Sequence, residues 1–231
     1  MEIYLIRHGE SANNALADAR QRVCDPPLTE RGREQARRVA ERLKSLDWAY
    51  PSSSRTSGMA FTRLYSSPML RSLETAEAIR QATGLTPHVW LDLHEHGGIW
   101  LDYGDGRGPI GLAGMGRSEM QGRFPHFVLP EGWPEEGWWN RPFESDEEAY
   151  ARAQRVAWEL EQWAETEERL ALVGHGGFGS SLISVLLGLP FVPYERFVQY
   201  NTALSRVDLT PTRVRLRFLN RVDHLPNDLV T

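Results

Sequence analysis

The chain has 231 residues, of which 41% are hydrophobic and 25% are charged, and its formal net charge at pH 7 is −5. This composition is typical of a folded globular domain and argues against a disordered or fibrous protein. The negative charge disfavours a general nucleic-acid-binding surface, and the single cysteine, Cys24, excludes an internal disulfide framework.

The N-terminal residues predict neither a secretory signal nor a membrane anchor. Residues 1–9 contain no basic leader and no long apolar segment. The longest apolar runs of the chain fall far short of the roughly 20 residues that span a bilayer. Together with the free cysteine, these features predict a cytoplasmic protein with no membrane partner.

Hydrophobic periodicity predicts strands that alternate with helices along the chain. The predicted strands cover residues 3–6, 61–65, 89–93, 170–173, 203–209 and 214–219. The predicted helices cover residues 29–46, 68–84, 145–166 and 180–189. Residues 51–58 are polar and predict a loop. Such alternation is typical of an α/β protein, and we predict a three-layer sandwich with a mostly parallel mixed sheet flanked by helices.

Residues 97–145 differ from the rest of the chain in composition. They are rich in glycine, proline and tryptophan, and they lack a long periodic pattern. The segment is far longer than most connections in compact domains. Trp133, Trp138 and Trp139 would supply a small apolar core, which argues against disorder. We therefore predict a single domain over residues 1–231 that carries an inserted cap at about 97–145.

Two of the predicted strands end in a similar way, each with a histidine followed by a glycine. The first reads RHG at 7–9, and the second reads GHG at 174–176. Ligands of open α/β sheets bind at the carboxyl ends of the strands, and a glycine lets a backbone N–H approach an anion closely. Arg7 can bind two phosphate oxygens. The pair of strand ends therefore predicts a phosphate site.

Five motifs, in this order, resemble those of the histidine phosphatase superfamily, also called phosphoglycerate-mutase-like. They are RHGESANN at 7–14, LTERGREQA at 28–36, SPMLRSLETA at 67–76, LHE at 93–95 with the glycines that follow it, and GHG at 174–176. RHG alone would be a weak signal. The ordered set covers almost the whole chain and is highly specific.

This resemblance implies metal-independent hydrolysis of a small phosphomonoester through a phosphohistidine intermediate, with no cofactor. His8 would be the nucleophile, and Glu95 would protonate the leaving oxygen and then accept a proton from water. Cationic side chains would surround the phosphoryl group in the place that magnesium takes in other enzymes. The residues that would hold the phosphoryl group are Arg7, Asn14, Arg71, His175 and Gly176.

The residues around Glu95 leave alternatives open. Glu10 and Asp102 compete with Glu95 for the acid-base role. His94 and His96 flank Glu95 and suggest a metal site. On a strand, however, residues two apart share one face, so Glu95 would point away from the two histidines. No metal site is predicted there.

Two functions from other classes are also weighed. The sequence GHGGFG at 174–179 matches the GxGxxG pattern of dinucleotide-binding enzymes. A histidine adds nothing to a pyrophosphate-binding turn, and too few residues follow this sequence to complete a dinucleotide-binding half. A non-catalytic module that binds a phosphorylated ligand is disfavoured because the whole set of motif residues is intact.

Within the resembled family, the choice lies between a phosphatase and a cofactor-dependent phosphoglycerate mutase. Mutases of the family typically have a GWxD-like element before LTxxG and an Asn-Lys stretch after the glutamate. Here residues 20–27 contain neither tryptophan nor glycine, and no lysine follows Lys44. A phosphatase is therefore favoured, with the mutase as the alternative.

The substrate and the assembly state are less constrained by the sequence. Cap arginines could hold a second anionic group of the substrate, although each could equally be solvated. They are Arg107, Arg117, Arg123 and Arg141. A homodimer is one of the assembly states left open.

Overall fold

The computed structural model describes residues 1–44 and 61–231, so the loop predicted at 51–58 lies outside the described residues. The strands are β1 (Glu2–Arg7), β2 (Arg63–Ser66), β3 (Pro87–Val89), β4 (Trp100–Asp102), β5 (Pro109–Gly111), β6 (Arg169–Gly174), β7 (Leu204–Thr210) and β8 (Arg213–Arg221). The helices are α1 (Glu30–Leu43), α2 (Leu70–Thr83), α3 (Arg117–Arg123), α4 (Asp146–Gln162) and α5 (Gly176–Leu186).

Six of the strands form one mixed sheet in the order β3-β2-β6-β1-β7-β8. The first four in this order run parallel to one another, and β7 and β8 are antiparallel additions at one side. The parallel strands place their carboxyl ends along one edge, where β1 ends at Arg7 and β6 at Gly174. The predicted fold class is confirmed.

Alternating side chains of β1 divide the core into two layers. Tyr4 and Ile6 pack in an apolar cluster with residues of α1 and α2. Ile3 and Leu5 pack in a second cluster with residues of α4 and α5. Successive strand residues point to opposite faces of a sheet, so helices cover both faces and the molecule has three layers.

Local signals define the helix ends well. The side chain of Thr29 accepts a hydrogen bond from the backbone N of Gly32 at the start of α1. Ser145 and Glu148 form the expected capping box of α4. Gly84 ends α2 with a φ of 76°, in the left-handed region that glycine adopts at little energetic cost.

The strand predicted over 89–93 is wrong beyond its first residue. The strand ends at Val89, and the chain then forms a 3₁₀ turn over Leu91–Leu93. Trp90 still donates its backbone N–H to Ser66 of the neighbouring strand, but the following residues leave the sheet. Helix α5 also begins four residues before the predicted boundary, directly after His175. The segment that carries Glu95 is therefore a loop.

The predicted cap region contains the β4-β5 hairpin and the short helix α3. Its tryptophans Trp133, Trp138 and Trp139 are buried, but they belong to the same apolar cluster as residues of α1 and α2. The apolar core to which these tryptophans contribute therefore continues from the predicted cap into the layer of α1 and α2. No helix of the described residues is long and apolar enough to cross a membrane.

Candidate active site

A cavity of about 260 Å³ opens at the carboxyl edge of the parallel strands. Five of the residues predicted from the motifs line it: Arg7, His8, Asn14, Arg71 and Glu95. They come from the end of β1, the loop after it, the first turn of α2 and the loop before β4. The other two predicted residues, His175 and Gly176, adjoin this group at the end of β6 but do not line the cavity.

His8 is buried, and hydrogen bonds to both ring nitrogens fix its orientation. Nδ1 lies 2.6 Å from the carbonyl oxygen of Gly9, so Nδ1 carries the proton and donates it to that oxygen. Nε2 accepts a hydrogen bond from Nε of Arg71 at 3.0 Å. Burial lowers the pKa of His8 well below its ordinary value, and the charges of Arg71 and Arg7 lower it further. The ring is therefore neutral, with its lone pair on the cavity side.

The backbone of His8 is also held in place. Asn201 donates a side-chain hydrogen bond to the carbonyl oxygen of His8 at 2.9 Å. The same amide lies 3.4 Å from Oδ1 of Asn14, which also accepts hydrogen bonds from the backbone N and Oγ of Ser11. Asn14 and His8 thus share a support that the sequence did not reveal.

Two guanidinium groups flank His8. Arg7 donates a hydrogen bond to the backbone carbonyl of Gln199, while its Nε atom is buried and has no partner among the described residues. Arg71 lies 3.8 Å from Asp25, whose carboxylate also accepts a hydrogen bond from the backbone N of Leu70 at 3.0 Å. Burial raises the pKa of Asp25 to about 6, although the charge of Arg71 opposes this shift.

His175 lies directly beside His8, with their ring centroids 5.1 Å apart. Its Nε2 atom is hydrogen-bonded to Oγ of Ser67 at 2.8 Å, and Oγ of Ser72 lies at 3.3 Å. Its Nδ1 atom is buried without a partner in the described part of the chain. Burial lowers the pKa of His175 well below its ordinary value, with Arg71 adding to the effect. A second neutral imidazole therefore adjoins the first.

Glu95 accepts hydrogen bonds from three backbone N–H groups. Oε1 lies 2.7 Å from the N of Phe178 and 3.0 Å from that of His96, and Oε2 lies 3.2 Å from the N of Gly177. Two of these donors belong to the first turn of α5, where the helix dipole favours an anion. A Cβ atom on Gly177 would lie only 2.9 Å from the carboxylate, so a larger residue there would displace Glu95 from its present position.

This arrangement also bears on the alternative functions. Glu95 accepts hydrogen bonds from the N–H groups of the GHGGFG turn that a dinucleotide would need for its pyrophosphate.

The two other carboxylates that were candidates for the acid-base role, Glu10 and Asp102, lie outside the cavity. Glu10 accepts a hydrogen bond from Thr29 and pairs with Arg31, and Asp102 accepts one from the backbone N of Gly104. Only Glu95 of these three carboxylates lines the cavity.

The two histidines around Glu95 have separate partners. Nδ1 of His94 donates to the carbonyl oxygen of Leu91 at 2.7 Å, and its ring is completely buried. His96 lies near Ser181 and Asp146, at 3.3 and 3.6 Å. They do not lie on a strand, and within the described residues no group of three or more metal-ligating side chains is present.

A buried ion pair holds the loop that carries Glu95. Arg152 of α4 is fully buried and binds both carboxylate oxygens of Glu144, at 2.8 and 2.6 Å. It also donates to the carbonyl oxygens of Asp92 and His94, at 2.7 and 2.9 Å. Burial alone would raise the pKa of Glu144, but the hydrogen bonds from Arg152 lower it to about 2. No sequence signal distinguished Arg152 from an exposed helix arginine.

The arginines of the predicted cap do not line the cavity. Arg107 pairs with Asp105, and Arg123 pairs with Glu119. Another arginine that the sequence did not single out does line it. This is Arg22, whose guanidinium carbon lies 5.0 Å from the ring centroid of Trp100, a second lining residue.

A family model described as the histidine phosphatase superfamily (branch 1) matches residues 3–222. The chain belongs to the histidine phosphatase superfamily. The family prediction is thus confirmed. A probable phosphoglycerate mutase, GpmB, of Photorhabdus laumondii is 32% identical over 209 residues, which make up 90% of this chain and 85% of that protein.

Two solved structures of similar fold align with nearly the whole of this chain. A phosphoserine phosphatase mutant from Entamoeba histolytica, in complex with phosphoserine, has a TM-score of 0.62 and 23% identity, and the match covers 97% of this chain and 99% of that one. The α-ribazole phosphatase of Shigella flexneri has a TM-score of 0.63 and 23% identity, with 96% of each chain covered. These similarities support the fold described above.

Proposed function

We propose that this protein is a phosphatase that hydrolyses small phosphomonoesters through a phosphohistidine formed on His8. The geometry of His8 carries the proposal. Its Nδ1 proton is donated to the carbonyl oxygen of Gly9, and its Nε2 lone pair faces Arg71 in the cavity. A neutral imidazole with an unprotonated nitrogen in a cationic cavity is what nucleophilic attack on a phosphate dianion requires.

In the first step, Nε2 of His8 attacks phosphorus and the bond to the ester oxygen breaks. Arg71 moves its hydrogen bond from Nε2 to the phosphoryl oxygens, and Arg7 binds them from the other side. These charges stabilise the equatorial oxygens of the transition state. Glu95 enters this step protonated, which requires one of its carboxyl oxygens to give up a backbone hydrogen bond and carry the proton. The leaving oxygen takes that proton, and the alcohol departs.

In the second step, a water molecule attacks the phosphohistidine and the P–N bond breaks. Glu95, now a carboxylate, accepts the proton of that water. His8 regains its lone pair on Nε2 while Nδ1 remains bound to Gly9. His175, Asn14 and the backbone at Gly176 complete the phosphate site in this proposal. Arg7 and Arg71 supply the positive charge, so the reaction needs no metal.

Two observations favour hydrolysis over the mutase reaction. The segment at 20–27 lacks the tryptophan and glycine that mutases of the family carry, and it contributes Arg22 to the cavity instead. The solved structures of similar fold cited above are those of phosphatases. The mutase remains the second candidate because relatives with 30–32% identity are named probable phosphoglycerate mutases.

The test is a panel of phosphomonoesters incubated with the purified protein and excess EDTA, with free phosphate as the readout. His8→Ala is the critical variant, and His126→Ala, an exposed histidine away from the cavity, is its matched control. We expect release that His8→Ala abolishes and His126→Ala retains. Mass spectrometry of quenched reactions should find a phosphoryl group on the His8 peptide.

Three results would overturn parts of the proposal. Interconversion of 3- and 2-phosphoglycerate faster than phosphate release would assign the protein as a mutase. Equal release by His8→Ala would show that His8 is not the nucleophile. Loss of activity in EDTA, restored by a divalent cation, would show that a metal takes part.

A further inference from the structure

We infer that Arg22, held against Trp100, is a specificity-determining residue that binds a carboxylate of the substrate while Arg7 and Arg71 bind the phosphoryl group. The expected substrate is therefore a small phosphorylated carboxylic acid. This inference rests on the proposed function of the same cavity, and it names the substrate class.

The position of Arg22 is fixed by its neighbours in the chain. Its backbone N–H caps the 3₁₀ turn over Ala19–Gln21. The next residue, Val23, exchanges two hydrogen bonds with the side chain of Asn13, at 2.8 and 3.1 Å. Asn13 lies in the loop that follows His8 and also lines the cavity. The loop that carries Arg22 is thus joined directly to the loop of the nucleophile.

The side chain of Arg22 is oriented by an aromatic ring. Its guanidinium carbon lies 5.0 Å from the ring centroid of Trp100, within the range of a cation–π interaction. Trp100 packs edge-to-face against Phe143, with 5.2 Å between their centroids. It also packs so closely on Gly97 that a Cβ there would lie 2.6 Å from the indole nitrogen. A stacked guanidinium loses less conformational freedom when it binds a planar anion.

The charge of Arg22 is not balanced as the charges of the other two arginines are. Asp25 and Glu95 act on Arg71, and Glu95 and Glu195 act on Arg7. Within residues 1–44 and 61–231, Arg22 forms no salt bridge, whereas the nearby Arg20 pairs with Asp18 at 2.9 Å. The cavity therefore contains a third guanidinium beyond the two that flank His8.

Arg22 lies close enough to the phosphoryl site for its charge to act on Arg71. Burial lowers the pKa of Arg71, and the charge of Arg22 adds to this effect. A cavity of about 260 Å³ is smaller than those that hold drug-sized ligands. A cavity of this size suits a substrate whose second anionic group lies only a few bonds from the phosphorus. A single guanidinium fork matches the two oxygens of a carboxylate.

The experiment compares substrates that differ only in the second anion. Phosphoglycolate is matched with 2-hydroxyethyl phosphate, and 3-phosphoglycerate with glycerol 3-phosphate. Each is assayed with the wild-type protein, with Arg22→Gln, and with the control Arg20→Gln, which removes an exposed arginine two residues away. Trp100→Leu tests the aromatic support.

We expect the wild-type protein to prefer the carboxylate member of at least one pair. Arg22→Gln should raise the KM of that member by about tenfold or more, with little change in kcat, because a charge-assisted hydrogen bond is lost. For the member that lacks the carboxylate, KM should change by a much smaller factor, because Arg22 then acts on the phosphoryl group only through its charge. Trp100→Leu should have a smaller effect of the same kind, and Arg20→Gln should have none.

Equal losses for both members of a pair would overturn the inference, since Arg22 would then act on the phosphoryl group or on folding. Absence of any preference in the wild-type protein would also overturn it. Calorimetric binding in the His8→Ala background separates these results from a failure of the proposed reaction. Phosphoglycolate should bind His8→Ala more tightly than 2-hydroxyethyl phosphate, and the added Arg22→Gln change should abolish that difference even if no turnover occurs.

Discussion

The Nε atom of Arg71 lies 3.0 Å from Nε2 of His8, the nitrogen that faces the cavity, and donates a hydrogen bond to it. Because Nε of Arg71 can only donate, Nε2 of His8 is the unprotonated acceptor in this contact, and Nδ1 carries the ring proton that is donated to the carbonyl of Gly9. The arginine is in turn supported by Asp25, 3.8 Å away. The imidazole and its cationic partner are therefore held in place by contacts within the protein.

The first prediction concerns this contact. Arg71→Lys should reduce kcat/KM by about 10²–10³, because an ammonium cannot replace the planar fork that binds two oxygens in the transition state. Steady-state phosphate release measures the effect. The control is Arg80→Lys on the same helix. Arg80 pairs with Glu77 at the surface. Retention of activity by Arg71→Lys, with an unchanged thermal transition, would contradict the proposed role.

The second prediction concerns pH. Burial and the neighbouring charges lower the pKa of His8, so its neutral form should persist as the pH falls below the usual histidine value of about 6.5. The acid limb of log kcat/KM should therefore lie below that pH. Arg71→Gln removes one cause of the shift and should move the limb upward.

The pH profile should be recorded with two substrates whose phosphate groups titrate at different pH values. If the acid limb reflects titration of an enzyme group, it occurs at the same pH with both substrates. If it reflects titration of the substrate phosphate, its pH differs between the two substrates. A substrate-independent limb at or above pH 6.5 would show that His8 is not shifted as described.

The third prediction concerns the buried pair under the Glu95 loop. Arg152→Met should lower the free energy of unfolding by about 3–5 kcal/mol, because Glu144 would remain buried without its partner. Urea denaturation measures this change. Arg155→Met, on the same helix but exposed, should change it by less than about 1 kcal/mol.

The double variant Glu144→Gln with Arg152→Met tests the cause of this loss. It should be more stable than Arg152→Met alone, since no unpaired charge would be left inside the protein. Equal stability of the single and double variants would show that the loss comes from packing and from the unsatisfied carbonyls of Asp92 and His94 rather than from the charge.

The fourth prediction concerns the contact between the His8 loop and α1. A Cβ on Gly32 would lie 2.0 Å from the carbonyl oxygen of Glu10. Gly32→Ala should therefore destabilise the protein by about 1–3 kcal/mol or more, since the backbone itself must move. Gly122→Ala, in α3 with open space around it, should be neutral or stabilising by up to about 1 kcal/mol. Equal denaturation midpoints for the two variants would contradict the close approach.

Much of the secondary structure could be predicted because its signals are local. The Thr29 cap, the Ser145 capping box and the glycine that ends α2 all act within a few residues of their own helix. The strand predicted at 89–93 was wrong in its second part because an apolar run does not specify whether its backbone N–H groups find a partner strand. That is decided by the neighbouring strand β2, which ends at Ser66.

Some residues of the candidate site could be predicted from the sequence, and others were found only in the structure. The sequence placed His8 and His175 at strand ends, and their rings lie 5.1 Å apart. It also offered arginines of the predicted cap either as ligands of a second anionic group or as solvated side chains, and none of them lines the cavity. The segment contributes Trp100 instead, and the cation comes from Arg22, 78 positions earlier in the chain.

By itself, the sequence determined the α/β class, the starts of α1 and α4, both ends of α2, and the set of residues gathered around His8. Periodicity, capping and ordered motifs depend on residues that are close in the chain. Only the tertiary structure decided that Asp25 supports Arg71, that Arg152 is buried against Glu144, and that Arg22 stacks on Trp100. Each of these pairs joins charges or rings from different parts of the fold. Burial and distance set their strength, and neither can be read from residue type alone.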